Sequence, residues 1–268
     1  LFKMKTKSRI ASILKANSLD SSVTGLETFH LSSLTLLKDL EFQLPTNLRL
    51  GHLAEKIVSG LIKSSVNYEV LYEHFQIIED QKTIGEIDFI IENRIEKKLI
   101  HLELAYKFYL FDPSISPEAI NNWIGPNRND SLSQKLDKLK RKQFPLLHHS
   151  CTASKLNTID IDTVSQALCL LVSLFIPYEF KTKLSPAYEK AIKGYYLNFQ
   201  TFINHDNSEK SYYLPSKKEW GMDAAENEVW THYQGVENQI HTSMKEKQAS
   251  LCWQKYKGTY LSFFIVWW

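Results

Sequence analysis

Two acidic residues stand inside apolar, strand-like stretches between residues 85 and 110, and this feature constrains the fold more than any other. Asp88 lies in TIGEIDFII and Glu103 in KLIHLELAYKFYL, where apolar and polar residues alternate as in a β-strand with one buried face. Burying an isolated carboxylate costs several kcal/mol unless a cation or hydrogen bonds compensate it. The sequence therefore predicts two neighbouring strands that bring two carboxylates together at a compensated site.

A third extended segment precedes these two. Residues 68–78 (YEVLYEHFQII) are rich in aromatic and β-branched side chains, which favour strands. Short polar connections at 79–82 and 92–97 suit hairpin loops. The sequence therefore predicts a three-strand meander over residues 68–78, 83–91 and 98–110.

Helical spacing of apolar residues predicts two helices before the meander. The leucines of residues 31–40 have a spacing compatible with a short amphipathic helix, which Pro45 ends. In residues 50–62 (LGHLAEKIVSGLI) the apolar side chains form one stripe, and Glu55 lies near its edge. A glutamate at such an edge is normally solvated, so the helix alone gives Glu55 no special role.

A basic helix is expected after the meander. Residues 112–130 contain three prolines and a glycine and are predicted to be irregular; Asp130 or Ser131 then caps a helix that runs to about residue 148. This helix carries the strongest basic cluster of the chain, Lys135, Lys138, Lys140, Arg141 and Lys142. Such a cluster is either a solvated helix face or, beside an acidic pocket, a surface for a phosphate backbone.

Past residue 150 the pattern is less regular. The apolar run at 167–178 is about half of the roughly twenty residues that cross a bilayer, so it predicts a buried core element and no membrane span. A helical SPAYEKAIKG, strand-like YYLNFQTFI and SYYLPS, a long helix around 224–251 and a strand in LSFFIVWW follow. We divide the chain into an N-terminal helical or flexible segment (1–30), a core (31–150) and a C-terminal α+β half packed on it (151–268).

Charge and cysteine content limit the partners and the cellular location to be expected for this chain. The net charge of +2 requires no polyanionic partner, so a nucleic-acid surface would have to be a local patch. Three widely spaced cysteines, Cys151, Cys169 and Cys252, argue against a disulfide framework and against a cysteine-based zinc site. Together with an N-terminus that lacks the pattern of a secretory signal, they favour a cytoplasmic location.

The motifs together resemble the PD-(D/E)XK, or restriction-endonuclease-like, nuclease superfamily. The resemblance rests on a glutamate in an early helix, on GEIDFII and on HLELAYK. The runs LGHLAEKIV, HLELAYKFYL and WIGPNRNDSLSQKL, with SYYLPSKKEW and FFIVWW further on, are similar to a bacterial family of unknown function within that superfamily, over most of residues 30–268. The resemblance implies an α/β (α+β) fold in which helices flank a mixed sheet, with the nuclease-like core in residues 31–150.

For the site, the resemblance implies Mg²⁺ or Mn²⁺ held by Asp88, Glu103 and the carbonyl oxygen of Leu104, with Glu55 assisting from its helix. Oxygen ligands of this kind suit these hard cations. Glu86 is either a second ligand or a rim residue, and the rim is favoured. His101 shares the acidic face, where a lone strand histidine is more often a hydrogen-bonded core residue than a ligand.

The motif departs from the superfamily at its lysine. A lysine usually stands two residues after the second acid, and here that position is Ala105. Lys107 is on the same strand face but two residues further along, roughly 13 Å from Glu103 by strand rise. Lys135 or Lys138 of the following helix is the other candidate for the catalytic cation.

These residues favour a metal-dependent nuclease-type phosphodiesterase that hydrolyses DNA or RNA, DNA being favoured. Lys135, Lys138, Arg141 and Lys142 are the expected nucleic-acid contacts. The alternative is a catalytically inactive nuclease-fold module that binds nucleic acid or scaffolds proteins, in which Lys107 only neutralises Glu103. The aromatic C-terminal half leaves a third hypothesis, a protein-interacting chain that forms a homodimer.

Overall fold

The computed structural model describes residues 2–37, 43–45, 47–156 and 158–268. The α-helices among them are α1 (Phe2–Leu14), α2 (Ser21–Thr24), α3 (Leu50–Lys63), α4 (Leu132–Lys138), α5 (Ser150–Ala153), α6 (Pro186–Glu189), α7 (Phe199–His205) and α8 (Tyr233–Lys245). The strands are β1 (Asn17–Ser18), β2 (Tyr68–Glu79), β3 (Lys82–Asn93), β4 (Lys98–Phe111), β5 (Trp123–Ile124), β6 (Ser165–Pro177), β7 (Ile192–Asn198), β8 (Ser211–Tyr213), β9 (Ser250–Tyr256) and β10 (Thr259–Val266).

These ten strands form one mixed sheet flanked by helices, which is the arrangement that the resemblance implies. The described chain divides into two compact units, each assembled from separate stretches. The meander unit comprises Ser18–Tyr106 and Gln134–Leu171, and the terminal unit comprises Leu1–Asn17, Lys107–Ser133 and Val172–Trp268. None of the described helices is long and apolar enough to cross a bilayer.

The meander unit is built on β2, β3 and β4, which confirms the predicted three-strand meander. Both strand pairs are antiparallel, with Val70 opposite Ile91 in the first pair and Ile91 opposite Ile100 in the second. The order of strands in this unit is β2-β3-β4-β6. Buried aliphatic side chains of the sheet pack against the segment that follows α4 and form one cluster: Ile77, Ile87, Ile90, Leu146, Leu147, Leu156 and Val164.

Helix α3 confirms the prediction for residues 50–62. Its apolar stripe is buried, including Leu53, Ile57 and Leu61. Its polar edge is tied to β2, because Lys63 Nζ lies 2.7 Å from Glu73 Oε1. The helix is therefore fixed against β2, and Glu55 lies on this fixed element.

The basic helix has the predicted extent but changes its pitch. After α4 come a π-helical turn (Leu139–Gln143) and a 3₁₀ segment (Phe144–His148). Pro145, the second residue of the 3₁₀ segment, lacks an N–H group and cannot continue an α-helical ladder, which explains why the pitch changes here. The change of pitch matters for function because it directs Gln143 and Phe144 towards the sheet.

The predicted helix over residues 31–40 is wrong for the residues that the structure describes. Leu31–Ser33 forms a single 3₁₀ turn. Leu36 then makes an antiparallel bridge with Ser65, and the N–H of Leu37 donates to the carbonyl oxygen of Ser64. Tertiary hydrogen bonds thus outcompete a weak local helical preference. Residues 38–42 lie outside the described residues.

The terminal unit contains the strand order β6-β7-β10-β9-β8. Strands β6 and β7 are parallel, as are β7 and β10, whereas β9 is antiparallel to both β8 and β10. Strand β6 confirms that the apolar run at 167–178 is a buried core element. Buried aromatic residues such as Phe263 and Tyr212 belong to a hydrophobic cluster in the core of this unit.

Three predictions for this unit need correction. The helical segment SPAYEKAIKG contains only the four residues of α6 before β7 begins at Ile192. The strand predicted over YYLNFQTFI ends at Asn198, whose side chain accepts from the N–H of Thr201 and caps α7. The helix predicted around 224–251 is limited to α8, because residues 250–256 pair with β10 through a tight turn at Lys257 and Gly258.

Candidate active site

The hydrogen-bond ladder between β3 and β4 ends where the two acids face each other. The last paired residues are Phe89 and Leu102, so Asp88 and Glu103 are the next opposite positions. Beyond the ladder, the N–H of Leu104 donates to Oδ2 of Asp88 at 2.8 Å. A side-chain carboxylate therefore replaces a backbone partner, and both acids lie at the point where the two strands stop pairing.

Glu103 is fully buried, and each of its carboxylate oxygens has a donor. Oε1 lies 2.9 Å from Nε2 of His101, and Oε2 accepts from Nε2 of Gln143 at 2.6 Å. Gln143 reaches this position from the π-helical turn. These two bonds fix the orientation of the carboxylate and offset part of the cost of its burial.

Gln166 determines which nitrogen of His101 carries the proton. Its amide nitrogen donates to the carbonyl oxygen of Phe144 at 2.7 Å and lies 3.2 Å from Nδ1 of His101. Because an amide NH₂ group only donates, Nδ1 accepts and the ring proton is on Nε2. His101 therefore donates to Glu103, and burial lowers the pKa of His101 to about 4, which keeps the ring neutral.

The two acids hold protons more strongly than ordinary carboxyls. Burial, followed by the charge of Glu103, raises the pKa of Asp88 to about 7. Burial also raises the pKa of Glu103 to about 7, against the opposing charge of Lys135. A cation bound next to the pair would therefore be stabilising, because it would favour the charged forms of both acids.

A sequence profile described as Domain of unknown function (DUF1853) matches residues 3–258. The chain belongs to the DUF1853 family. No curated protein and no solved structure matches it. The match extends over residues of both compact units of this DUF1853 chain.

The structure places Glu55 and Glu86 around the acid pair. Glu55 Oε2 lies 2.9 Å from Nδ1 of His52 and 4.0 Å from Nδ1 of His74, while Glu86 Oε1 lies 3.3 Å from the same His74 nitrogen. The charge of Glu55 contributes to the raised pKa of Asp88. Both outer glutamates are thus engaged with histidines and act on the pair through their charge.

Lys135 is the predicted cation that the structure connects with the acid pair. Its Nζ donates to Oε1 of Gln143 at 3.2 Å, and the same Gln143 amide donates to Glu103. The charge of Lys135 lowers the pKa of both Asp88 and Glu103, opposing the effect of burial. The charge of Lys138 also lowers the pKa of Glu103.

The remaining predicted basic residues have other surroundings. Lys107 Nζ lies 2.7 Å from Asp130 Oδ2, and both residues belong to the terminal unit. Arg141 is largely exposed and pairs with Asp137 at 2.6 Å, while Lys142 is exposed next to it in the π-helical turn. Arg141 and Lys142 therefore contribute positive charge to the surface of this turn.

Gln143 and Gln166 are the site residues that the sequence did not reveal. Both lie more than thirty residues away from the acids along the chain, and a single glutamine has no motif of its own. His101 is the hydrogen-bonded core residue that the sequence predicts, because it is fully buried and both of its nitrogens are in hydrogen bonds. Only the fold reveals that these three side chains act together.

Proposed function

We propose that this DUF1853 chain is a metal-dependent phosphodiesterase of nuclease type that hydrolyses DNA or RNA with water as the nucleophile. The observation that carries the proposal is the meeting of Asp88 and Glu103 at the end of the β3–β4 ladder. Buried paired acids with raised pKa values are typical of functional sites rather than of structural cores. The resemblance to the PD-(D/E)XK superfamily supports the same function.

The donor set suits Mg²⁺ or Mn²⁺. Asp88, Glu103 and the carbonyl oxygen of Leu104 are hard oxygen ligands, and Glu55 adds negative charge nearby. Burial is the main cause of the raised pKa values of the two acids, because it disfavours their charged forms, and a divalent cation would favour those forms. When bound, such a cation supplies Lewis-acid chemistry that activates water and offsets charge on the phosphodiester.

The protein's own groups have separate tasks in this proposal. His101 and Gln143 hold the Glu103 carboxylate in one orientation through its two oxygens. Lys135 provides the positive charge next to the acid pair that Ala105 does not provide. Lys138, Arg141 and Lys142 form the surface for the phosphate backbone, with DNA as the favoured substrate.

Cleavage assays with the full chain test this function. Labelled single-stranded and double-stranded DNA and RNA are incubated with Mg²⁺ or Mn²⁺, and with EDTA as the metal-free reference. Asp88→Asn should reduce cleavage at least about a hundredfold, because several kcal/mol of transition-state stabilisation depend on the bound cation. Glu92→Gln is the matched control, since Glu92 lies on the same strand but pairs at the surface with Lys97.

A second function is favoured by one specific observation. Ala105 stands where the superfamily has its lysine, and Lys107 is engaged with Asp130. These residues would suit an inactive nuclease-fold module that binds nucleic acid or scaffolds proteins. Nucleic-acid binding without any cleavage, in Mg²⁺ and in Mn²⁺ alike, would establish this alternative and reject the phosphodiesterase.

A further inference from the structure

Three potential metal ligands from distant parts of the chain converge at the end of β2. Glu79 is the last residue of β2, and His149 and Cys151 lie at the start of α5. One ligand atom from each side chain lies within 4.8 Å of the other two. Among the residues that the structure describes, no other three His, Cys, Asp or Glu side chains converge in this way.

The distances within this cluster are close to those of a tetrahedral zinc site. His149 Nε2 lies 3.7 Å from Glu79 Oε1, and Cys151 Sγ lies 3.9 Å from the same oxygen. With ordinary zinc–ligand bond lengths, a tetrahedral site has a nitrogen–oxygen edge of about 3.3 Å and a sulfur–oxygen edge of about 3.6 Å. These two edges are therefore only a few tenths of an ångström longer than those of a tetrahedral zinc site, and the ligand atoms of His149 and Cys151 lie within 4.8 Å of each other.

The spacing of the cysteines argues against a zinc site built from several of them, but the fold brings one cysteine to two other ligands. We propose that Glu79, His149 and Cys151 form a zinc site distinct from the acid pair. The combination of a thiolate, an imidazole and one carboxylate selects a borderline cation such as Zn²⁺ over Mg²⁺. Three protein ligands leave the fourth tetrahedral position for water. The side chains are partly exposed, so the cation has access from solvent.

Binding changes the protonation of two ligands. The thiol of Cys151 loses its proton to solvent and coordinates as a thiolate. Nδ1 of His149 accepts from the N–H of Cys151 at 3.3 Å in the metal-free arrangement. Coordination through Nε2 moves the ring proton to Nδ1, so this long hydrogen bond is exchanged for the metal–nitrogen bond.

The site connects β2 with the segment that supports the acid pair. His149 and Cys151 follow directly after the 3₁₀ segment that begins with Phe144. The ring of Phe144 lies 5.3 Å from the ring of His101. Thr152 next to the ligands donates to the carbonyl oxygen of Leu146 at 2.6 Å, which ties α5 to this segment. A bound cation therefore adds a cross-link between β2 and the turns that present Gln143 and Phe144.

Titration with Co²⁺ tests the proposal on the full chain. Co²⁺ replaces Zn²⁺ in such sites, and a thiolate ligand produces a near-ultraviolet charge-transfer band that oxygen ligands do not. We expect this band to reach its maximum at one equivalent and to be absent in Cys151→Ser. The other two cysteines, Cys169 and Cys252, are fully buried and should not contribute.

Calorimetric titration with Zn²⁺ gives an independent measurement. Glu79→Gln should weaken binding at least about tenfold, the effect that loss of even an outer-shell partner produces. Glu69→Gln is the matched control, because Glu69 lies on the same strand and pairs with Arg94. Asp88→Asn should abolish cleavage but keep the Co²⁺ charge-transfer band. The zinc site is thus tested independently of the proposed nuclease site. No band with Co²⁺, or a band that persists in folded Cys151→Ser, overturns the proposal.

Discussion

Nε2 of His101 donates to Oε1 of Glu103 across 2.9 Å, and both side chains are completely buried. The proton is on Nε2 because Gln166 donates to Nδ1 on the other side of the ring. A neutral histidine thus acts as a fixed donor to a carboxyl at the centre of the site. This relationship makes the protonation state of His101 a direct test of the site geometry.

We predict that His101 is a neutral Nε2–H imidazole at pH 6. Nitrogen-15 chemical shifts of the histidine rings distinguish the two neutral tautomers and the cation. Gln166→Glu should raise the pKa of His101, because a carboxylate at this position accepts a proton from Nδ1 and favours the imidazolium. Gln166→Leu supplies no such charge and is the control. An Nδ1–H signal for His101 in the unmodified chain would contradict the geometry.

The stability of the metal-free protein should fall as pH rises. Asp88 and Glu103 have folded pKa values of about 7, above their ordinary 3.8 and 4.5, so the folded state keeps protons that the unfolded chain has lost. His101 has the opposite effect, because its folded pKa of about 4 is below the ordinary 6.5. Its contribution to the stability of the protein is therefore lost as the pH falls through that range. Two carboxyls outweigh one histidine, so their net contribution decreases between about pH 5 and pH 8.

Urea unfolding in EDTA at about pH 5 and at about pH 8 measures this effect. The free energy of unfolding of the unmodified chain should drop by a few kcal/mol more than that of Asp88→Asn, which keeps an acceptor for the N–H of Leu104. Saturating Mg²⁺ should restore more stability at the higher pH, because protons compete with the cation at the lower one. Parallel pH profiles for the two proteins would be inconsistent with raised pKa values at this site.

Lys135 should matter for cleavage far more than Lys107. Lys135→Met removes the positive charge that acts on both acids, and we expect at least about a hundredfold loss of kcat, the effect of removing one preorganised donor from an active site. Lys107→Met is the matched control and breaks only a partly exposed ion pair with Asp130, so it should change stability by less than about 1 kcal/mol. The reverse ranking would assign the catalytic cation to Lys107.

A side chain at Gly85 should destabilise the fold. A Cβ at this position would overlap the side chain of Leu146, which packs there from the 3₁₀ segment. Gly85→Ala should therefore lower the free energy of unfolding by about 1–3 kcal/mol, as overpacking does. Gly51→Ala is the contrasting variant, since nothing lies within 4 Å of its Cβ position and alanine is the better helix former. Equal stability of the two variants would argue against the packing of Leu146 on β3.

Local periodicity was sufficient to predict the frame of the site. The stripe of helix α3 and the alternation in β2, β3 and β4 are properties of short stretches, so the sequence shows them directly. The same alternation places Asp88 and Glu103 on facing strands. Predictions were poorer where local preference is weak, as in residues 31–37, because distant hydrogen bonds then decide the conformation.

The sequence by itself determined the meander, its helix α3 and the presence of two acids that require compensation. Only the tertiary structure decided what compensates them. Gln166 reaches His101 from β6, the strand next to β4. Gln143 reaches Glu103, and Lys135 reaches Gln143, because the helical segment changes pitch near Pro145 and packs on the sheet. Glu79 meets His149 and Cys151 for the same reason. Contacts between distant segments depend on how whole elements pack, and sequence spacing carries no record of that packing.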